Sequence, residues 1–230
     1  AQGHFVYDSK KAGAITVSHL RFGPRPIRST YEISAGQAEF VGCHQSAFLQ
    51  RYDMLAMARP GAVLLLNAPW APDVAWERLP RSVQQQIIDK NIKVWVIDAY
   101  SLAAEHGLGR RINTIMQTCF FALTDLLPAE TAVEKIRETI VSSYRQKGGS
   151  IVDANIPVIE HARDRLQQIE VPAAASSAED MLPPVPADAD PFVVQVTGAM
   201  IASRGNEIPV SRMPVDGSWP TGTAAYEKRR

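Results

Sequence analysis

AVLLLN at residues 62–67 and KVWVID at residues 93–98 each contain a short, unbroken apolar run. Runs of this length without alternation are typical of β-strands that are covered on both faces. Between them, residues 81–90 carry a helical pattern that is entered through Pro80. Strand, helix and strand in this order predict two parallel strands, joined by a helix that packs on the sheet.

The same alternation extends outward from this pair. We predict two weaker strands, GAITVS at residues 13–18 and EFVGC at residues 39–43. We predict further helices at residues 46–58 (ended by Arg59-Pro60-Gly61), 111–126, 129–147 (ended by Gly148-Gly149) and 153–169. The helix at 111–126 is apolar nearly all round and is expected to be buried. The predicted fold class is α/β, an open, mostly parallel sheet with helices on both faces.

The composition changes near residue 172. Residues 172–230 hold eight of the sixteen prolines, and this part of the chain opens with the linker-like stretch VPAAASS at residues 171–177. We therefore predict an α/β domain at 1–171 and an extended, proline-rich arm at 172–230. We expect this arm to pack on other domains and to be poorly ordered without them.

Charge and cysteine content exclude several classes. The 230 residues carry 24 basic and 24 acidic side chains, which argues against a domain that coats nucleic acid. Cys43 and Cys119 are the two cysteines, so this chain holds neither a disulfide framework nor a four-cysteine iron–sulfur cluster. We expect two reduced core thiols. No apolar run reaches the roughly 18 residues of a membrane span, and the N-terminus lacks a signal-peptide pattern. We expect neither a nucleic-acid nor a membrane partner.

The first candidate site is the loop after the strand at 13–18. Arg21, Arg25 and Arg28 fall within eight residues, next to the hydroxyl of Ser29. Ligands of open α/β sheets bind beyond the carboxyl ends of the strands, where we expect this loop to lie. Guanidinium groups in a proline-stiffened loop bind phosphate well. The alternative is a solvated loop, or one that pairs with a neighbouring domain, and the sequence offers no partner that decides between them.

Two more segments carry candidate polar groups. Asn67 ends an apolar strand, where it is either a ligand-binding amide or a simple turn residue. GLGRRINTIMQ at residues 107–117 leads into the predicted buried helix, whose N-terminal N–H groups suit an anion together with Arg110. Asn113 and Gln117 lie one turn apart on that helix and, if buried, need a ligand or backbone partner. The glycines do not form a nucleotide fingerprint.

No complete catalytic apparatus is visible. The five histidines show no metal-ligand spacing, and the sequence has neither a G-x-S-x-G elbow nor a P-loop. The acidic residues are scattered, so no acid/base pair is nominated. The residues themselves predict a phosphate-bearing ligand and a domain that acts together with other domains.

Five blocks of the chain resemble the pyruvate:ferredoxin (flavodoxin) oxidoreductase family. They occur in the family's order over essentially the whole length, at residues 10–23, 84–90, 111–121, 214–223 and 226–229, the last containing the Glu-Lys-Arg signature. The resemblance implies the central gamma-type domain, followed by the linker to a ferredoxin-like domain that this chain does not contain.

The resemblance also implies an activity. Enzymes of this family decarboxylate pyruvate on thiamine diphosphate, pass electrons through iron–sulfur clusters to ferredoxin or flavodoxin, and form acetyl-CoA. This chain lacks the thiamine diphosphate motif and the cluster cysteines, so thiamine diphosphate, Mg²⁺ and the [4Fe-4S] clusters are expected on other domains. The central domain is expected to cap the active site and to help bind coenzyme A. The resemblance further implies a homodimer in the cytoplasm, or in an organelle of a eukaryote, and an isolated chain that is inactive.

Three alternatives stay open at this point. The same segment occurs in a pyruvate:NADP⁺ oxidoreductase fusion, and a close variant acts on another 2-oxoacid. The third alternative is a non-catalytic structural domain, in which Arg21, Arg25 and Arg28 form interdomain salt bridges.

Overall fold

A four-stranded sheet organises the chain. The structure is a computed structural model that describes residues 1–7, 15–28, 30–144 and 149–227. Within these ranges the strands are β1 (Gln2–Tyr7), β2 (Thr16–Arg21), β3 (Ala38–Cys43), β4 (Ala58–Asn67), β5 (Lys93–Ile97) and β6 (Gln167–Ile169). The sheet order is β3-β4-β5-β6; β3, β4 and β5 are parallel, and β6 is antiparallel to β5. The predicted mostly parallel α/β sheet is confirmed.

Helices connect the strands and cover the sheet. In the described part of the chain they are α1 (Pro72–Glu77), α2 (Arg81–Asp89), α3 (Ala99–Glu105), α4 (Asn113–Leu123), α5 (Ala129–Tyr144), α6 (Gly149–Asp164), α7 (Gly198–Ile201) and α8 (Ala224–Glu227). The predicted helix at 81–90 therefore forms, as do the central parts of those at 111–126 and 129–147. Gly148, the first residue of the predicted stop after 147, lies outside the described residues.

The helices lie on both faces of the sheet, as predicted. Because side chains alternate along a strand, Leu64 and Leu66 face one layer and Leu65 faces the other. The first layer packs against α1 and α2 through residues such as Trp76, and the second packs against α3, α4 and α6. Burial on both sides explains why residues 62–66 of β4 form a continuous apolar run.

The predicted first strand is wrong in its placement. Residues 16–21 form β2, which pairs antiparallel with β1 in a separate two-stranded sheet, from Gln2↔Arg21 to Tyr7↔Thr16. Residues 13 and 14 of the prediction lie outside the described residues. A period-two pattern indicates a strand but does not identify its partner, so the arginine loop does not follow a strand of the main sheet.

The predicted helix at 46–58 is also wrong. Two short 3₁₀-helices, Ser46–Gln50 and Met54–Met57, occupy it, and residues 59–61 belong to β4 rather than to a helix stop. The register between β3 and β4 shifts between Ala38↔Ala58 and Phe40↔Val63, so Pro60 sits where the ladder is interrupted. Gly61 has a φ of 74°, and its N–H donates to the Lys90 carbonyl at 2.7 Å.

The predicted last helix of the α/β region ends earlier than expected. The sequence places it at residues 153–169, but α6 ends at Asp164 and the chain continues into β6. Ile169 is buried against the first core layer and pairs with Val94 of β5. The need to cover the edge of β5 overrides the helical pattern of these residues.

The beginning of the arm is built onto the α/β domain. The fully buried amide of Gln84 in α2 accepts the N–H groups of Ser176 and Ser177, each at 2.9 Å, and donates to the Trp76 carbonyl at 2.8 Å. Asp180 accepts the N–H of Ser82 at 3.1 Å and also its hydroxyl. Ser176 and Ser177, which end the stretch at 171–177 whose composition predicts a linker, are therefore fixed to the α/β domain. The domain division at 172 itself stays a prediction.

Asp180 completes the start of α2. The residue before this helix is Pro80, whose side chain cannot cap it. The carboxylate of Asp180 caps the helix instead, by accepting the N–H of Ser82, which lies 98 positions earlier in the chain. Hydrogen bonds from Ser82 lower the pKa of Asp180 below its ordinary value. A carboxylate at a helix N-terminus is also favoured by the helix dipole.

Candidate functional site

The arginine loop is closed at its base by residues that flank it. At the end of β2, the guanidinium of Arg21 stacks on the ring of Tyr31, 3.7 Å from its centroid, and Nη2 donates to the Glu32 carbonyl at 2.9 Å. The N–H of Ile33 donates to Nδ1 of buried His19 at 3.0 Å. Arg21 therefore supports the loop, since its guanidinium is already held between two residues of the same segment.

Arg25 and Arg28 lie in the middle of this closed loop, and both are exposed. Gln2 of β1 donates to the Ile27 carbonyl at 3.0 Å, which ties the middle of the loop to the hairpin. Neither arginine forms an ion pair with a described residue. Two guanidinium groups are thus presented to solvent by a loop that is fixed at both ends. Ser29 lies outside the described residues.

Aromatic rings join the loop to α4. The ring of Phe22 lies 5.6 Å from that of Phe120, and Phe120 in turn meets Phe40 of β3 edge-on at 4.9 Å between centroids. Gln117 and Asn113 precede Phe120 by three and seven residues, about 4.5 and 10 Å along the helix axis. At 100° per residue these side chains share one face of α4. The structure therefore brings the loop to the face of α4 that carries both amides.

The burial predicted for these two amides is wrong. Asn113 and Gln117 are exposed, because α4 packs into the core along its opposite face, through Ile115 and Cys119. Exposed amides need no partner inside the fold, and their N–H groups are open to a ligand. Arg110, just before α4, is also exposed, and its guanidinium lies 5.1 Å from the ring centroid of Tyr100 in α3.

Asn67 has a different environment. Its buried amide donates to the His44 carbonyl at 2.9 Å and accepts the N–H of Ala99 at 2.9 Å. His44 follows β3, Asn67 ends β4 and Ala99 follows β5, so one side chain joins the carboxyl ends of all three parallel strands. These contacts stand apart from the arginine loop and make Asn67 an internal brace.

Burial controls the titration of the nearby sulfur and imidazole groups. It raises the pKa of both Cys43 and Cys119 to about 12, and both are buried free thiols, which confirms the predicted core cysteines. Burial also lowers the pKa of His19, with Glu32 opposing this effect and His4 and Arg21 reinforcing it. A neutral His19 keeps Nδ1 available to accept the Ile33 N–H.

Sequence reasoning missed the residues that shape the loop. His19, Phe22 and Tyr31 flank the arginines and fix them, yet none was singled out. The available signal was the two aromatic residues bracketing a cluster of guanidinium groups, a pattern that favours stacking. Among the described residues, no group of three or more His, Cys, Asp or Glu side chains is arranged to hold a metal ion. No described helix has the length and apolar character to cross a membrane.

The fold is that of a known α/β subunit. Subunit PORC of pyruvate oxidoreductase from Thermotoga maritima superposes with a TM-score of 0.53 over 74% of this chain and 81% of that one, at 15% sequence identity. At this identity the likeness concerns the fold alone.

Sequence comparison is more specific. Residues 1–165 match the family described as pyruvate ferredoxin/flavodoxin oxidoreductase, and residues 178–230 match EKR, a domain of unknown function. The pyruvate-flavodoxin oxidoreductase of Rhodospirillum rubrum is 52% identical over 99% of this chain, and a putative one from Synechocystis is 50% identical over 100%. A probable one from Escherichia coli K12 is 47% identical over 100%. The chain belongs to the pyruvate ferredoxin/flavodoxin oxidoreductase family, and it spans 19% of the length of each of these relatives.

Proposed function

We propose that this chain is the central segment of an enzyme that converts pyruvate and coenzyme A to acetyl-CoA and CO₂, with electrons passed to ferredoxin or flavodoxin. Within it, the arginine loop and the exposed face of α4 bind coenzyme A and cap the active site. The observation that carries the proposal is the Phe22–Phe120 contact at 5.6 Å, which sets the loop of Arg25 and Arg28 against the helix of Asn113 and Gln117.

The chemistry of these residues suits a phosphorylated carrier. Coenzyme A has a 3′-phosphate and a pyrophosphate, and a guanidinium group binds each with charge-assisted, bidentate hydrogen bonds. Arg25 and Arg28 are exposed and make no ion pair with the described residues, so binding a phosphate breaks no ion pair within that part of the chain. The amides of Asn113 and Gln117 supply neutral donors beside them.

The other proposed residues have supporting roles. Arg21 holds the loop through Tyr31 and Glu32, and Asn67 braces the strand ends from inside the domain. Ser29, which follows Arg28 in the sequence, and Arg110, which precedes α4, are proposed as further donors.

Redox chemistry is proposed to reside outside this segment. The two buried thiols, whose pKa burial raises to about 12, do not fit a [4Fe-4S] cluster, which needs several accessible thiolates. The described residues likewise do not fit a Mg²⁺ site, which needs clustered oxygen ligands. Thiamine diphosphate, Mg²⁺ and the clusters are therefore assigned to other domains of a cytoplasmic homodimer, and the chain alone is inactive.

Kinetics of the intact enzyme test the coenzyme A site. Arg25→Ala and Arg28→Ala are each expected to raise the KM for coenzyme A about tenfold, because each removes a charge-assisted hydrogen bond to phosphate. Pyruvate-dependent radical formation without coenzyme A is expected to stay unchanged. Arg51→Ala is the matched control, since Arg51 is an exposed arginine near the other face of the sheet.

The same experiment separates the alternatives. If both half-reactions fall together, Arg25 and Arg28 serve the structure of a non-catalytic domain and the coenzyme A role is wrong. An unchanged KM for coenzyme A in both variants would also mean that the coenzyme A role is wrong. An enzyme that reduces NADP⁺, or that prefers another 2-oxoacid, retains the predicted effect on coenzyme A.

A further inference from the structure

The hairpin formed by β1 and β2 has two chemically different faces. Directly paired residues of an antiparallel ladder share a face, so His4 lies with His19, and Gly3 lies with Leu20. Phe5 is two residues from Gly3 and therefore belongs to the Gly3 face. One face thus carries imidazoles and the other carries large apolar side chains.

The imidazole face is covered in part by this chain itself, around His19. His19 is only 6% exposed and accepts the Ile33 N–H from the end of the arginine loop. Gln2, which alternates with His4 on the same face, reaches the Ile27 carbonyl. The loop therefore packs under this side of the hairpin.

Two large apolar side chains on the opposite face are exposed in the part of the chain that the structure describes. Phe5 is 58% exposed and Leu20 is 48% exposed. Both reach over Gly3, where an added Cβ would lie 3.1 Å from the Phe5 ring and 3.3 Å from Cδ2 of Leu20. The absence of a side chain at Gly3 lets the two apolar groups close into one patch, called here the Phe5–Leu20 face.

An isolated two-stranded hairpin is marginally stable in water at best, and an apolar face that it exposes gains stability when a partner buries it. The described part of this chain covers only the imidazole face, and the chain spans 19% of the length of its relatives. We propose that the Phe5–Leu20 face docks against an apolar surface on another domain of the same enzyme polypeptide. This inference rests on the proposed function only in placing the chain within a larger enzyme, and it is independent of coenzyme A.

The size of the patch favours a domain of the same polypeptide over a second copy of the chain. Stable association of separate proteins buries about 800 Å² on each partner, far more than two side chains supply. A covalently linked domain is held at high effective concentration, so a small apolar patch is sufficient for it to dock. The patch therefore fits another domain of the same polypeptide better than it fits a second copy of the chain.

Hydroxyl-radical footprinting without coenzyme A tests the proposal. Phe5 and Leu20 are measured in the intact enzyme and in the 230-residue chain, with Val17 as the internal reference. Val17 is 40% exposed and lies on the imidazole side of β2. If the exposure of Phe5 falls from more than half to about a tenth on docking, its labelling slows about fivefold. Val17 is expected to keep its rate.

The remaining outcomes overturn the proposal. Equal labelling of Phe5 in the intact enzyme and in the chain would show that the face is free. Protection in the chain alone that rises with concentration would identify a second copy as the occupant. Equal protection of Val17 and Leu20 would contradict docking through one face.

A variant separates this inference from the coenzyme A site. Phe5→Ser combined with Leu20→Ser is expected to lower the Tm of the intact enzyme and to speed proteolysis within residues 1–22, while the 230-residue chain is unchanged. Val17→Ser is the matched control. A loss that appears equally in the chain alone would mean that these residues stabilise only the hairpin, and it would contradict docking.

Discussion

The buried amide of Gln84 accepts the backbone N–H of Ser177 at 2.9 Å, although the two residues are 93 positions apart. Ser176 donates to the same oxygen, and its hydroxyl accepts from the Trp76 indole N–H at 3.2 Å. Backbone donors that lose water must find an acceptor, and Gln84 provides one from inside α2. This side chain therefore fixes the path of the chain as it leaves the α/β domain.

Replacing Gln84 with methionine keeps the volume but leaves two N–H groups unpaired. We expect Gln84→Met to lower the free energy of unfolding by about 2 kcal/mol, because it orphans the buried N–H of Ser177 and the partly buried N–H of Ser176. Limited proteolysis within residues 172–182 is expected to accelerate. Urea unfolding and mass-spectrometric mapping of the cut sites measure both effects.

Gln85 is the matched control for this substitution. It is exposed and bonds only to Asp89, at 2.8 Å, within the same helix. We expect Gln85→Met to change the free energy of unfolding by less than about 0.5 kcal/mol. Equal losses in the two variants would mean that residues 176–182 do not depend on Gln84.

His19 makes the base of the arginine loop sensitive to pH. Burial lowers the pKa of His19 in the folded chain below the ordinary value of 6.5. As the pH falls through about 6.5, the unfolded chain takes up a proton before the folded chain does. The stability contributed by neutral His19 is therefore complete above this pH and is lost progressively toward the folded pKa.

Amide hydrogen exchange measures this loss locally. The Ile33 N–H, which donates to Nδ1 of His19, is expected to lose protection between pH 7.5 and pH 5.5 after correction for intrinsic exchange. The N–H of Leu65 in β4 serves as the reference, because that strand is buried on both faces. Parallel behaviour of the two amides would contradict a local role for His19.

Asn67 joins three strand ends, and its removal is expected to be costly. Asn67→Ala leaves the His44 carbonyl and the Ala99 N–H without their partner, for an expected loss of about 2 kcal/mol in the free energy of unfolding. Asn113→Ala is the control, because it removes the same amide from an exposed helix position. Urea unfolding compares the two, and a similar small change in both would contradict the bracing role.

The core strands are predictable because they are buried on both faces. Residues 62–67 and 93–98 each contain a short, continuous apolar run, which few structures other than a strand covered on both faces produce. Ala58 and Pro60 are different, since they join β4 only through a register shift against β3. That contact is non-local, so a local helix stop is the natural prediction for residues 59–61.

The candidate site is predictable in its chemistry but not in its arrangement. The exposure of Arg25 and Arg28 follows from their charge. The closure of their loop depends on the contacts of Tyr31 with Arg21 and of Ile33 with His19, which join residues 10 and 14 positions apart and leave no local sequence pattern. The prediction that Asn113 is buried was wrong. The apolar composition of a helix does not show which of its faces the neighbouring elements leave exposed to solvent.

Because Asp180 caps α2, the position at which this polypeptide is truncated decides whether the helix keeps its cap. A protein cut at residue 165, where the match to the oxidoreductase family ends, would keep α2 and lose the carboxylate that begins it. Gln84 would then be left with its carbonyl oxygen facing no donor from the missing segment. A truncation that keeps these contacts therefore has to extend through residue 182, where the Leu182 N–H reaches back to the Gln50 carbonyl at 2.8 Å.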